Sequence, residues 1–311
     1  MIDNKFETQK ETTQFVEDVK AKDNCMEEEK EKKIYYNEEE SKFTLKKISA
    51  KYAKNIISTI EGSLLKPKDA PKWDTIIVHD SIKKQVVENV VVSLKKRSKE
   101  TPIGVLLYGP MGNGKSIIAK ALATHFGPAL IFLSLNSNDL NTETAVSAIF
   151  EASMISQPSI ILINGIDGLL GNDSVYNESK KAFFTAMNNL ESKYRGQIIV
   201  IGVSNQPFGI EEKALENFGV RIYVPLPDIE QRVVFIKKQL EKLNDEQCKH
   251  LAAATEYFSF NNLKTLCEEM KKKITMLTFE NLVEAGLNKV TPTASSKTVE
   301  EFQTWSKANN S

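Results

Sequence analysis

Residues 103–126 read IGVLLYGPMGNGKSIIAKALATHF. A short apolar run, Val105-Leu106-Leu107-Tyr108, stops at Gly109, and the next eight residues fit G-x-x-x-x-G-K-[ST] at Gly109, Gly114, Lys115 and Ser116. Ile117, Ile118, Ala121 and Leu122 then recur at helical spacing. Strand, glycine loop and helix in that order are the context a phosphate-binding P-loop requires. The glycines let backbone N–H groups turn inward at a helix N-terminus, where they and the helix dipole favour anions. Gly109, Pro110, Met111, Gly112, Asn113, Gly114, Lys115, Ser116 and Ile117 are therefore the candidate nucleotide-binding residues. Lys115 is expected to reach the terminal phosphates and Ser116 to ligate Mg²⁺. A glycine-rich turn with a chance lysine would not carry such regular flanks on both sides.

The remaining composition sets bounds. Basic and acidic residues both total 41, so net charge argues for neither a nucleic-acid nor an anionic-membrane partner. Cys25, Cys248 and Cys267 are scattered, with no metal-ligand spacing and no disulfide framework. No hydrophobic stretch approaches a membrane span, and the charged start is no signal peptide. The expected setting is cytoplasmic, with the nucleus also open.

Four further apolar runs read as buried strands: 129–135 (ALIFLSL), 159–165 (SIILING), 197–204 (QIIVIGVS) and 221–226 (RIYVPL). Helical patterns separate them, so the expected fold class is α/β, a doubly wound parallel sheet. Upstream, residues 1–45 are acidic and poor in apolar side chains, which predicts a disordered arm or a partner-binding one. Residues 46–66 form a linker helix on the spacing of Leu45, Ile48, Tyr52, Ile56, Ile57 and Ile60. The α/β domain spans 67–227 and opens with a helix over Ser81–Arg97. Residues 228–311 read as a small all-helical domain with helices at 228–244, 245–256, 260–275 and 278–290, and a last one around Val299, Phe302 and Trp305.

GVLLYGPMGNGKSIIAKALA, PSIILINGID, IGVSNQPFGIEEKALENFGVRIYVPLPD and the closing helices resemble the AAA ATPases. The likeness runs from about Lys72 to Trp305 and is strongest to the meiotic clade of spastin, katanin, fidgetin and the ESCRT-disassembling enzyme. The resemblance implies a P-loop NTPase fold with a helical lid, ATP or ADP with Mg²⁺ as cofactor, and protein partners that include other AAA subunits. It implies that the C-terminal helix packs back on the large domain, and that Asn205 is the sensor that holds the attacking water and the γ-phosphate.

The chain departs from the family pattern at several positions. The family's second phosphate motif ends in Asp-Glu, where this chain has Asn164-Gly165. Asn164 offers a neutral oxygen in place of a carboxylate, and Gly165 has no side chain to activate water. Asp167 matches a second family aspartate outside that pair. The family's Arg-Arg fingers align with Glu216 and Asn217, while Arg221 belongs to the strand that follows. Asp139-Leu140 runs almost directly into Thr144, which leaves no room for a pore loop. Tyr257-Phe258-Ser259-Phe260 stands where the family has Gly-Tyr-Ser-Gly, and Val78 takes another glycine position; bulk replacing glycine beside a ligand tends to fill space, which points to nucleotide binding weakened or lost at the adenine end. Together these imply a degenerate AAA protein that binds ATP with weak or no hydrolysis and serves as an interaction or regulatory subunit. The alternative is an active ATPase that remodels protein assemblies, of the microtubule-severing or ESCRT type.

Overall fold

A computed structural model describes residues 51–92, 94, 102–126, 131–172 and 175–309. The acidic arm, the first part of the expected linker helix and the basic run at 95–97 lie outside those residues.

Five parallel strands make one sheet: β1 Gly104–Tyr108, β2 Ile131–Asn136, β3 Ser159–Asn164, β4 Ile198–Ser204 and β5 Val220–Tyr223, in the order β2-β3-β4-β1-β5. The alternation of side chains sorts each apolar run onto two faces. Leu106, Leu133, Leu135, Ile161, Ile163, Ile198 and Val200 join one core, and Val105, Leu107, Phe132, Ile160, Leu162, Ile199 and Ile201 join the other. Both faces are covered, which is why the strands read as continuous apolar runs.

The second of those cores is closed by α2 (Asp80–Val86) and by α3 (Lys115–Phe126). The first is closed by α1 (Lys54–Ser63), α4 (Glu143–Ile155), α5 (Ile166–Leu170), α6 (Asn177–Lys193) and α7 (Glu212–Leu215). The expected helix over 81–97 is α-helical to Val86, continues as a π-helix over Val87–Val92 and is α-helical again at Leu94. The sequence neighbours Val90 and Val91 of this wider turn are both buried in the core.

Past β5 come α8 (Ile229–Gln239), α9 (Asp245–Ala253), α10 (Phe260–Lys271) and α11 (Phe279–Leu287). Each of the first three starts at a capping box: Asp228 with Gln231, Asn244 with Gln247, and Ser259 with Asn262. They share a core of their own around Ile236, Leu251, Leu263, Leu266 and Leu282. The last helix, α12 (Ser296–Asn309), instead buries Phe302 in the first core of the sheet layer. Trp305 stands edge-on to Tyr108 with ring centres 4.7 Å apart, and the Tyr108 hydroxyl donates to Ser306 Oγ at 2.8 Å. Arg221 ties the end of this helix to β5: its guanidinium donates to the carbonyls of Asn309, Leu215 and Phe218.

Candidate functional site

The loop from Gly109 to Gly114 connects the buried end of β1 to the start of α3. Its glycines take positive φ, with Gly112 at 84° and Gly114 at 80°, a conformation L side chains rarely adopt. A Cβ on Gly114 would meet nothing within 4 Å, so the space beside the loop is open there. A Cβ on Gly112 would sit 2.6 Å from Ser259 Oγ, because the loop tip abuts the N-terminus of α10. The Asn261 N–H donates to the Gly112 carbonyl at 3.1 Å and closes that contact. Gly109, Pro110 and Asn113 are buried, whereas Met111 and Ile117 are about half exposed on either side of the loop.

Lys115 is buried, and its ammonium donates to the carbonyls of Gly109 and Pro110, each at 2.7 Å. Burial lowers its pKa to about 8, and the carboxylate of Asp167 works against that shift. A buried cation whose hydrogen bonds go only to carbonyls lacks a full counter-charge, and phosphate oxygens would supply one. The residues therefore fit a polyphosphate. Asn113 Oδ1, buried without a hydrogen-bond partner, is an acceptor and adds nothing to that fit.

Beside the loop, Ser116 Oγ donates to Asn164 Oδ1 at 2.5 Å. Asn164 Nδ2 in turn donates to the Leu135 carbonyl at 3.0 Å. A carbonyl can only accept, so this bond fixes which end of the amide faces Ser116. Gly165 follows at φ 65°, ψ 40°, in the left-handed region, and leads into α5. Only Ser137 Oγ, 3.5 Å away, would meet a Cβ at Gly165. Asp167 Oδ1 accepts the backbone N–H of Asn205 at 3.3 Å, so the expected sensor sits exposed at the end of β4, alongside the Asn164 turn. The structure thus brings Lys115, Ser116, Asn164, Gly165, Asp167 and Asn205 to one end of the sheet.

Glu216 and Asn217 lie elsewhere. Glu216 is exposed at the end of α7, and Asn217 donates to the carbonyls of Lys213 and Ala214. Both border a cavity of about 530 Å³ with Asn89, Phe184, Glu191 and Arg195, and no P-loop residue lines it. The pore-loop position is occupied by a 3₁₀ turn over Ser137–Leu140, opened by a capping box of Asn136 with Asp139, and only Asn141 and Thr142 separate that turn from α4. Tyr257, standing where the family has glycine, keeps the left-handed conformation at φ 62°.

Two contacts were not expected from the sequence: Asp167 with the Asn205 backbone, and Gly112 with Ser259 and Asn261. The first joins residues 38 apart, so no local spacing announces it. The second had one signal, the Ser-x-x-Asn cap at 259–262 beside a tyrosine in a glycine position.

The family model described as "ATPase family associated with various cellular activities (AAA)" matches residues 105–226. Those residues are an AAA ATPase domain. Spastin from Dictyostelium discoideum is 28% identical over 289 residues, which is 81% of this chain and 44% of that spastin. The chain spans about half the length, or less, of that relative and of human spastin, at 47%. Among solved structures, one describing the structural basis for katanin self-assembly superposes with a TM-score of 0.69 at 27% identity, covering 84% of this chain and 98% of katanin's. The crystal structure of the FIGL-1 AAA domain in complex with ADP superposes with a TM-score of 0.71 at 23% identity, covering 83% and 97%. These relatives belong to the meiotic clade of AAA proteins. Among the described residues no helix is long and apolar enough to cross a membrane.

Proposed function

We propose that this AAA protein binds ATP or ADP on Gly109–Ile117, hydrolyses it slowly or not at all, and acts as an interaction or regulatory subunit alongside other AAA chains. The observation that carries this reading is Gly165: the turn where a catalytic base is needed holds a left-handed residue without a side chain. Loss of a general base costs roughly 10²–10⁴-fold. Loss of an arginine finger costs roughly 10³–10⁵-fold in phosphoryl transfer, and Glu216 would bring a negative charge towards a neighbour's phosphates instead. Both losses act on one transition state and need not add. Nucleotide binding is supported by the open Gly114 cradle and the buried Lys115, and the AAA domain solved with ADP shares the fold.

A steady-state ATPase assay paired with a nucleotide titration tests the reading on the full chain. Binding is expected in the wild type and absent in Lys115→Ala, with turnover at background in both. A second reading, an active enzyme that remodels protein assemblies, draws on the intact P-loop and on Asn205. A wild-type rate of about 1 s⁻¹, ordinary for enzymes and abolished by Lys115→Ala, would establish that second reading. Sedimentation with ATP should give a monomer or small oligomer, and added active relatives should lose activity as this chain joins them. A stable ATP-dependent homohexamer would overturn the assignment as a subunit dependent on others.

A further inference from the structure

Resting on the nucleotide-binding reading above, we infer that this chain binds ATP with little help from Mg²⁺, because Asn164 gives the metal side of the site an amide in place of a carboxylate. The phosphate side and the metal side of the pocket are built differently. On the phosphate side, a buried ammonium and a glycine loop open at Gly114 remain. On the metal side, the donors next to the loop are the Ser116 hydroxyl and the Asn164 amide oxygen, both neutral. Mg²⁺ is a hard cation that binds through one or two carboxylates together with substrate phosphates and water. Asp167, the carboxylate of the cluster, makes no hydrogen bond with Ser116 or Asn164 that would place it beside them, and one of its oxygens accepts the Asn205 N–H. Among the described residues no three His, Cys, Asp or Glu side chains come together as a metal site.

The amide is wired in place. Its nitrogen donates to the Leu135 carbonyl, and its oxygen takes the Ser116 proton. A carboxylate at the same position would set an oxygen against the lone pairs of Leu135. The pocket of this chain therefore matches asparagine and opposes aspartate. Two consequences follow for charge. An outer-shell partner of this kind is worth about 10- to 100-fold in metal affinity, and that contribution is missing. A carboxylate would also repel metal-free ATP, with its four negative charges, and that repulsion is missing as well. Both effects narrow the gap between Mg·ATP and free ATP.

The test is calorimetric titration of the full chain with ATP, once in excess Mg²⁺ and once in excess EDTA. The two dissociation constants should agree within about threefold, well inside the ~10- to 100-fold that an outer-shell carboxylate supplies. Asn164→Asp should split them by about tenfold or more, tightening binding with Mg²⁺ and weakening it in EDTA, on the same scale. Circular dichroism checks that the variant folds, and if it does not, the wild-type pair decides alone. Wild-type affinity that rises tenfold or more with Mg²⁺ would overturn the inference and leave nucleotide binding standing. Absence of binding in both conditions would overturn nucleotide binding itself, and this inference with it.

Discussion

Replacing Gly165 with alanine isolates the backbone of the turn after β3 from any catalytic chemistry. The residue sits at φ 65°, ψ 40°, where an L side chain costs about 1–2 kcal/mol. The added methyl meets only Ser137 Oγ at 3.5 Å, an ordinary contact, so no steric cost is added. Against this, alanine restricts the unfolded chain, a gain of about 0.4–1 kcal/mol. The net expectation is a loss of roughly 0.5–1.5 kcal/mol, or a few degrees in the melting temperature of a chain this size. Gly165→Glu should show a similar loss, because the backbone term is the same. It should also leave hydrolysis at background, since Glu216 and Asn217 still replace the fingers. Thermal and urea unfolding of wild type, Gly165→Ala and Gly165→Glu read the stability term, and an ATPase assay reads the other. An alanine variant as stable as wild type would refute the left-handed turn. A glutamate variant that gains about 100-fold in rate, the scale of a restored base, would refute the expectation that the missing fingers hold hydrolysis at background.

Two further predictions follow from the same region and from the tail. Lys115 has a folded pKa of about 8 against an ordinary 10.5, so between those values the unfolded chain binds more protons and stability rises with pH. Without nucleotide, Lys115→Met should abolish that rise and stabilise the protein near neutral pH by on the order of 1–3 kcal/mol; a wild-type-minus-mutant difference that stays flat from pH 7 to pH 10 would contradict it. Arg221→Ala removes three charge-assisted bonds to carbonyls, among them the tie to Asn309. Its expected cost is about 2–4 kcal/mol, with faster hydrogen exchange at the end of α12, and unchanged exchange there would show that Phe302 and Trp305 hold the helix unaided.

What could be read in advance was whatever repeats at short range. The apolar runs ending at Tyr108, Asn164 and Ser204 became strands because helical patterns separate them, and the register then follows from the two-residue alternation. The glycine loop was legible because its geometry needs glycine at fixed offsets. Helix ends in the small domain were read about three to five residues too far, as at Gln239, because an apolar Leu240 extends the pattern without extending the helix. The π-turn at Val87–Val92 was invisible, since a valine run says which residues are buried and not how the backbone winds. Within the site, residue types were legible but orientation was not. Asn164 could be named, yet which end of its amide faces Ser116 depends on a carbonyl 29 residues away. Lys115 could be named, yet its placement on its own loop carbonyls depends on the path of the loop.

The aromatic contact under the tail gives the molecule a built-in optical probe. Of its two tryptophans, Trp305 lies edge-on to Tyr108, which is itself 5.5 Å from Tyr223 and one residue before the loop. Light absorbed by either tyrosine is within easy transfer distance of that indole. Emission from unlabelled protein therefore reads the seating of the C-terminal helix and the state of the adjoining glycine loop through one chromophore. A Trp73→Phe background would leave that signal uncontaminated, so tail docking and loop occupancy can be separated by their time courses in a stopped-flow trace.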